Sequence, residues 1–81
     1  MKHIIDVREP LEFKMGHVVG STNIPLSRIS RIPEDFEKDD EIIVYCQSGH
    51  RAGMAVEIFK KHGYINVVNG INKQYVEQNY L

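Results

Sequence analysis

Residues 41–45, EIIVY, constrain the fold more than any other segment, because four apolar residues follow one another there with no polar residue between them. A strand that is covered on both faces of a parallel sheet has this pattern, so we place this strand at the centre of the sheet. A helix is predicted from Arg51 to His62, since its apolar residues recur on one face and Gly63 follows it. A buried strand, a short connection and a helix in this order indicate a parallel α/β unit.

Shorter elements on both sides repeat this alternation. Strands are predicted at residues 3–7, 21–25 and 64–68, and helical segments at about 10–15, 26–29 and 70–80, with a polar link at 30–40. In the last helix Ile71, Tyr75 and Val76 are expected to point inward. The alternation favours a three-layer α/β sandwich, with a small, mostly parallel central sheet flanked by helices. A chain of 81 residues supports one core, so residues 1–81 are predicted to form a single domain.

Charge and hydropathy argue against two classes of partner. The formal net charge is -1 and the charged residues are scattered, so no basic face for nucleic acid is predicted. The longest apolar stretch, Ile42 to Cys46, is too short to span a bilayer, and no membrane partner is predicted. Residues 1–3 run straight into a strand without the apolar stretch of a secretory signal, so we expect a reducing, cytoplasmic setting.

Cys46 is the single cysteine of the chain and cannot form an intrachain disulfide. Three interpretations are open: a small core residue, a stray thiol or a reactive nucleophile. The position favours the nucleophile, because ligands of parallel α/β sheets bind beyond the carboxyl ends of the strands. A thiol reacts as the thiolate, so the residues that follow Cys46 would have to stabilise an anion.

The loop at residues 47–51, QSGHR, has a composition that suits this task. A helix dipole contributes about 0.3 to 1 kcal/mol, which lowers a pKa by less than about one unit. Main-chain amides that curl around the sulfur contribute more, since a hydrogen bond to a charged group is worth about 1.5 to 3 kcal/mol. Gly49 permits such a curl and Ser48 adds a hydroxyl donor. Arg51 offers a planar fork of donors to an oxyanion such as thiosulfate.

The histidines do not indicate a metal site. Neither a metal nor another cofactor is predicted, because no metal-ligand spacing connects His3, His17, His50 and His62. His50 follows the cysteine closely in sequence. Because neighbouring loop side chains often diverge, we interpret His50 as lining a pocket rather than as a base paired with Cys46.

Three blocks of the sequence resemble the rhodanese family, and together they cover nearly the whole chain. The first is similar to the amino-terminal signature of the family: DVRE at 6–9, EF at 12–13, GH at 16–17 and NIP at 23–25. The second, IVYCQSGHRA at 43–52, resembles its persulfide-forming active loop. The third is weaker and is similar to the family's ending: GY at 63–64 and VVNGI at 67–71.

The resemblance implies a thiosulfate sulfurtransferase. Cys46 would take sulfane sulfur from thiosulfate or a persulfide donor, hold it as a persulfide and pass it to cyanide or a protein thiol. The donor would be bound by the loop residues Gln47, Ser48, Gly49, His50 and Arg51. The loop from Cys46 to Arg51 has six residues, whereas related phosphatases and arsenate reductases use a longer one. The alternatives to a sulfurtransferase are a non-catalytic rhodanese-like protein-binding module and, less favoured because of the loop length, a small phosphatase or arsenate reductase.

The sequence also departs from the family pattern. Asn69 replaces the first glycine of a usual pair and Gln74 replaces a tryptophan, which affects the packing of the last helix. The family's strand and helix before the DVRE block are absent from this sequence, so we expect one strand fewer, an exposed edge, and a monomer or weak homodimer. The resemblance also implies that four polar residues form a structural cluster rather than part of the active site: Asp6, Arg8, Glu12 and His17. Within this cluster we expect Arg8 to pair with Glu12.

Overall fold

The computed structural model describes residues 1–32 and 36–81, and most of its elements lie where the sequence pattern places them. The strands are β1 (Lys2–Asp6), β2 (Thr22–Asn23), β3 (Glu41–Cys46) and β4 (Asn66–Asn72). The α-helices are α1 (Pro10–Lys14), α2 (His50–Lys61) and α3 (Lys73–Asn79), and Leu26–Arg28 forms one 3-10 turn. The polar link predicted at 30–40 lies partly outside the described residues.

The four strands form one sheet in the order β2-β1-β3-β4, and every neighbouring pair is parallel. The strand with the unbroken apolar run is therefore central, as its composition predicts, because β1 and β4 cover its two edges. Parallel strands share one carboxyl edge. The ends of β1 and β3 consequently lie side by side, with Asp6 paired to Tyr45, next to Cys46.

Both faces of the sheet are covered, which confirms the three-layer α/β sandwich. Side chains of β3 alternate between the faces. One face carries Val44 and Cys46 and packs against α2, whose buried residues are Ala52, Ala55, Val56 and Phe59. The other face carries Ile43 and Tyr45 and packs against Val18 and Val76. Among the described residues no helix combines the length and the apolarity that a bilayer crossing needs.

The end of the chain differs from its predicted course. Strand β4 runs to Asn72 instead of ending at Val68, and α3 begins at Lys73 instead of Gly70. Val44 pairs with Asn69 and Tyr45 with Ile71, so Gly70 is the extra residue of a β-bulge. A Cβ at Gly70 would lie 2.7 Å from Val76 and 2.8 Å from Ile43, which explains why only glycine fits there.

The start of α3 is set by a side chain and not by this glycine. The Asn72 side chain accepts a hydrogen bond from the amide of Tyr75 at 2.8 Å and so caps the helix one turn later than predicted. Of the three residues expected to point inward, Val76 is fully buried. Ile71 is half-buried in β4, and Tyr75 is 39% exposed, so the predicted inward position of Tyr75 is wrong.

Candidate active site

Cys46 is the last residue of the central strand β3, and the chain leaves the sheet immediately after it. Residues 47–49 cross to α2, which begins at His50. Only 1% of the surface of Cys46 is exposed, because its side chain lies between the core face of β3 and the loop above it. The sulfur is thus enclosed at the carboxyl edge of the sheet, where the strand order predicts a ligand site.

Main-chain amides of the loop face this sulfur. The amide of Gly49 donates to Sγ of Cys46 at 3.1 Å, and the amide of Ala52 donates to it at 3.4 Å. Gly49 has a φ of 93°, a left-handed conformation that residues with a side chain rarely adopt. This conformation turns the loop back over Cys46, so the curl expected from the sequence is present.

The loop lowers the pKa of the Cys46 thiol. Burial raises this pKa, whereas hydrogen bonds from the backbone amides of Ala52, Ser48, Gly49 and Arg51 lower it. The amides together outweigh burial, and the pKa lies below that of an ordinary thiol. At neutral pH the loop therefore raises the thiolate fraction of Cys46, the form in which cysteine is a nucleophile.

We expect alkylation of Cys46 by iodoacetamide to follow a titration curve whose midpoint lies below the free-thiol value of about 8.5. The midpoint is lower because the amides stabilise the charged thiolate, so the thiolate forms in less alkaline solution. The measurement is the rate of alkylation between mildly acidic and alkaline pH. Cys46 is the single cysteine, so the same protein unfolded in urea is a matched control. Equal midpoints in the folded and unfolded protein would contradict the stabilisation of the thiolate by the loop amides.

Arg51 lies in the first turn of α2 and forms an ion pair with Glu12 of α1. Its two terminal nitrogens reach Oε1 and Oε2 of Glu12 at 2.8 and 3.1 Å. This hydrogen bonding, followed by the amide of Glu9, lowers the pKa of Glu12 to about 2. About a third of each side chain is exposed, 31% for Arg51 and 33% for Glu12, so the pair is open to an anion from solution.

This geometry corrects the expected pairing of Arg8 with Glu12. Arg8 instead binds Asp6, with Nη2 to Oδ2 at 2.7 Å and Nε to both carboxylate oxygens at 3.0 and 3.1 Å. Asp6 is fully buried, and the backbone amide of Arg8 also donates to it. His17 bonds the carbonyl of Phe13 at 2.8 Å through Nδ1. Asp6, Arg8 and His17 are thus structural, while Glu12 belongs to the site.

Glu12 could not be assigned to the site from sequence, because it precedes Arg51 by 39 residues. The topology of the sheet is what brings Glu12 to the site, because α1 follows β1, α2 follows β3, and these two strands are neighbours. The first turns of both helices therefore meet at one edge of the sheet.

The remaining predicted loop residues lie on the solvent-exposed side of the cysteine loop. Gln47, Ser48 and His50 are exposed. Among the described residues His50 has no hydrogen-bond or ion-pair partner, so it does not contact Cys46 as a base would. Within residues 1–32 and 36–81, no three His, Cys, Asp or Glu side chains lie close enough together to bind a metal ion.

A cavity of about 420 Å³ lies elsewhere, at the amino-terminal edge of the sheet. Its walls are formed by Ser30, Ile32, Phe36, Glu37, Lys38, His62 and Tyr64. None of the residues predicted to bind or react with a substrate lines it.

Comparisons with known proteins address the same residues. Residues 1–73 match the family model for the rhodanese-like domain. The thiosulfate sulfurtransferase PspE of Escherichia coli is 38% identical over 73 residues, a match that covers 84% of this chain and 67% of PspE. A Bacillus subtilis protein, YqhL, is 39% identical over 66 residues, which cover 82% of this chain and 52% of YqhL.

Solved structures agree with these matches. A structure described as rhodanese with anions from E. coli has a TM-score of 0.81 and 35% sequence identity. The superposition covers 93% of this chain and 91% of that chain. The chain spans 36% to 56% of the length of the first three curated relatives that it matches.

Proposed function

Because this chain belongs to the rhodanese-like domain family, we propose that it is a sulfurtransferase that acts through a persulfide on Cys46. It moves sulfane sulfur from thiosulfate or a persulfide donor to a thiophilic acceptor, either cyanide or a protein thiol. The observation that carries this proposal is the set of loop amides that face Sγ of Cys46, at 3.1 Å from Gly49 and 3.4 Å from Ala52. Such donors stabilise a sulfur anion both before and after it gains a second sulfur.

In the first half-reaction the Cys46 thiolate attacks the outer sulfur of thiosulfate. A new S–S bond forms at Sγ while the S–S bond of thiosulfate breaks, and sulfite leaves with the electron pair. The product on the protein is a persulfide anion. No external oxidant is needed, because the sulfane sulfur is transferred without its two bonding electrons, which remain on sulfite.

In the second half-reaction the acceptor attacks the outer sulfur of the persulfide. With cyanide, a C–S bond forms, the S–S bond at Cys46 breaks, and the electron pair returns to Sγ as the thiolate. The products are thiocyanate and the starting protein. A thiol acceptor reacts as its thiolate in the same way and leaves as a persulfide.

The loop residues then have separable roles. Arg51 attracts the anionic donor, since its guanidinium is partly exposed beside the sulfur loop. Gln47, Ser48, Gly49 and His50 border the entrance. Cys46 is only 1% exposed, so the donor must part these residues slightly to reach Sγ.

Two further observations support thiosulfate as a donor. The relative PspE is a thiosulfate sulfurtransferase, and it shares 38% identity with this chain. The loop of six residues from Cys46 to Arg51 is the short form that the family resemblance associates with sulfur transfer. We also propose a reducing cytoplasmic setting, in which thiols are available as acceptors.

Mass spectrometry of the intact protein after incubation with thiosulfate tests this proposal. We expect a gain of one sulfur atom that cyanide removes, and no gain in the Cys46→Ser variant. The absence of a gain in the unmodified protein would overturn the proposal. Hydrolysis of a phosphate ester by the same protein would instead favour a phosphatase, and unimpaired cellular activity of Cys46→Ser would favour a binding module.

A further inference from the structure

Asn69 occupies an unusual position in β4, one residue before the β-bulge. It pairs with Val44 of the central strand, and after Gly70 the pairing resumes between Ile71 and Tyr45. Ile71 has a φ of 69°, which is a genuine outlier for a β-branched residue. Backbone strain of this kind persists only where surrounding contacts hold it in place.

The Asn69 side chain supplies contacts on both sides. Its Oδ1 accepts a hydrogen bond from the amide of Ile71 at 2.9 Å, which holds the bulge. Its Nδ2 donates to the carbonyl of Gly49 at 2.9 Å, which reaches from β4 into the cysteine loop. One side chain thereby connects the strained end of the strand to the residue that turns the loop.

Gly49 is the residue through which this contact reaches the sulfur. Its carbonyl is held by Asn69 and by the amide of Gly53 at 2.9 Å, and its amide donates to Sγ of Cys46 at 3.1 Å. Gly49 has no side chain with which to hold its own conformation. A Cβ placed on it would lie 3.5 Å from Ile71 and 3.7 Å from Nδ2 of Asn69, so these two residues form the wall behind the loop.

We propose that Asn69 is a positioning residue that holds Gly49 so that the loop amides face Cys46. The inference deepens the proposed sulfurtransferase function and rests on it only for the role in turnover. The position is one at which this sequence departs from the glycine of the family pattern. The loop of this protein therefore has a side-chain support from β4 that glycine at position 69 would not provide.

The consequence for the reaction is specific. Without the Asn69 contact, the Gly49 carbonyl keeps only the hydrogen bond from the amide of Gly53. The Gly49 amide is then held less firmly toward the sulfur, and the thiolate loses part of its stabilisation. The ion pair of Arg51 with Glu12 does not involve Asn69, so attraction of the donor should persist. Sulfur loading of Cys46 should become slower while the KM for thiosulfate changes little.

The experiment measures the pH dependence of Cys46 alkylation in Asn69→Ala. We expect the acid dissociation constant of Cys46 to fall about three- to tenfold, the range that loss of one hydrogen bond gives. The plateau rate at alkaline pH reports access to the sulfur, and the midpoint reports its stabilisation, so the two effects separate. The charged or titratable groups beside the loop, Arg51, Glu12 and His50, are unchanged in this variant.

Asn66→Ala is the matched control, because Asn66 lies in the same strand and its Nδ2 donates to a backbone carbonyl, that of Asp39, at 3.0 Å. Asn66→Ala should lower thermal stability to a similar extent and leave the alkylation midpoint unchanged. Asn69→Gly, which introduces the family residue, is the second variant should Asn69→Ala not fold. An unchanged midpoint in a folded Asn69 variant would overturn the inference.

These outcomes are distinct from failure of the proposed function. Alkylation of Cys46 needs no sulfur transfer, so a shifted midpoint in Asn69→Ala would support the inference even in a protein that thiosulfate does not load. Conversely, a protein that takes up one sulfur but shows equal midpoints for the variants of Asn69 and Asn66 would retain the proposed function and lose this inference.

Discussion

Arg51→Ala is expected to raise the KM for thiosulfate about tenfold to a hundredfold, because a hydrogen bond to a charged group is worth about 1.5 to 3 kcal/mol and about 1.4 kcal/mol is a factor of ten. The value of kcat should fall less, since the amides that face Cys46 belong to the backbone and survive the substitution. The measurement is the initial rate of sulfur transfer from thiosulfate to cyanide over a range of thiosulfate concentrations.

Glu12→Gln separates the two roles that Arg51 could have. In the structure Arg51 already pairs with Glu12 at 2.8 and 3.1 Å, so its substitution removes both a cation and an anchor between α1 and α2. Glu12→Gln keeps the size of the side chain and leaves the guanidinium charge free for the donor. If Arg51 gathers the donor, the KM should stay the same or fall. A rise equal to that of Arg51→Ala would show that the arginine acts only as an anchor.

Asp6→Ala is expected to destabilise the protein by about 3 to 5 kcal/mol, the cost of removing one partner from a buried ion pair. Asp6 is fully buried and accepts hydrogen bonds from the side chain and the backbone amide of Arg8. The Arg8 side chain is 13% exposed, so its charge would lose its partner in a largely dry environment. This is a large part of the stability of a typical domain, about 5 to 15 kcal/mol. Urea unfolding measures the change.

An exposed ion pair of the same chain provides the control. Lys73 and Glu77 lie one turn apart on α3 at 3.1 Å, and their side chains are 44% and 38% exposed. Glu77→Ala should therefore cost only about 0.3 to 0.5 kcal/mol. Asp6→Asn, which keeps one acceptor oxygen, should lie between the two. Similar losses for Asp6→Ala and Glu77→Ala would contradict the structural role assigned to Asp6.

Residues close together in the sequence determined most of the fold and the core of the candidate site. The apolar run of β3, the amphipathic pattern of α2 and the glycine of the cysteine loop are local signals, and each indicates an element without reference to the rest of the chain. The backbone amides that lower the pKa of Cys46 belong to residues 48–52, so this part of the site is also determined by one short segment.

Only the tertiary structure decided which distant side chains support that segment. Glu12 reaches Arg51 across 39 residues, and Asn69 reaches Gly49 across 20. Both contacts depend on the strand order β2-β1-β3-β4, which places β1 and β4 on either side of the strand that carries the cysteine. Local propensity does not specify that order, because the order arises from the burial of two sheet faces at once. The bulge that carries β4 past its predicted end likewise depends on the pairing of β4 with β3.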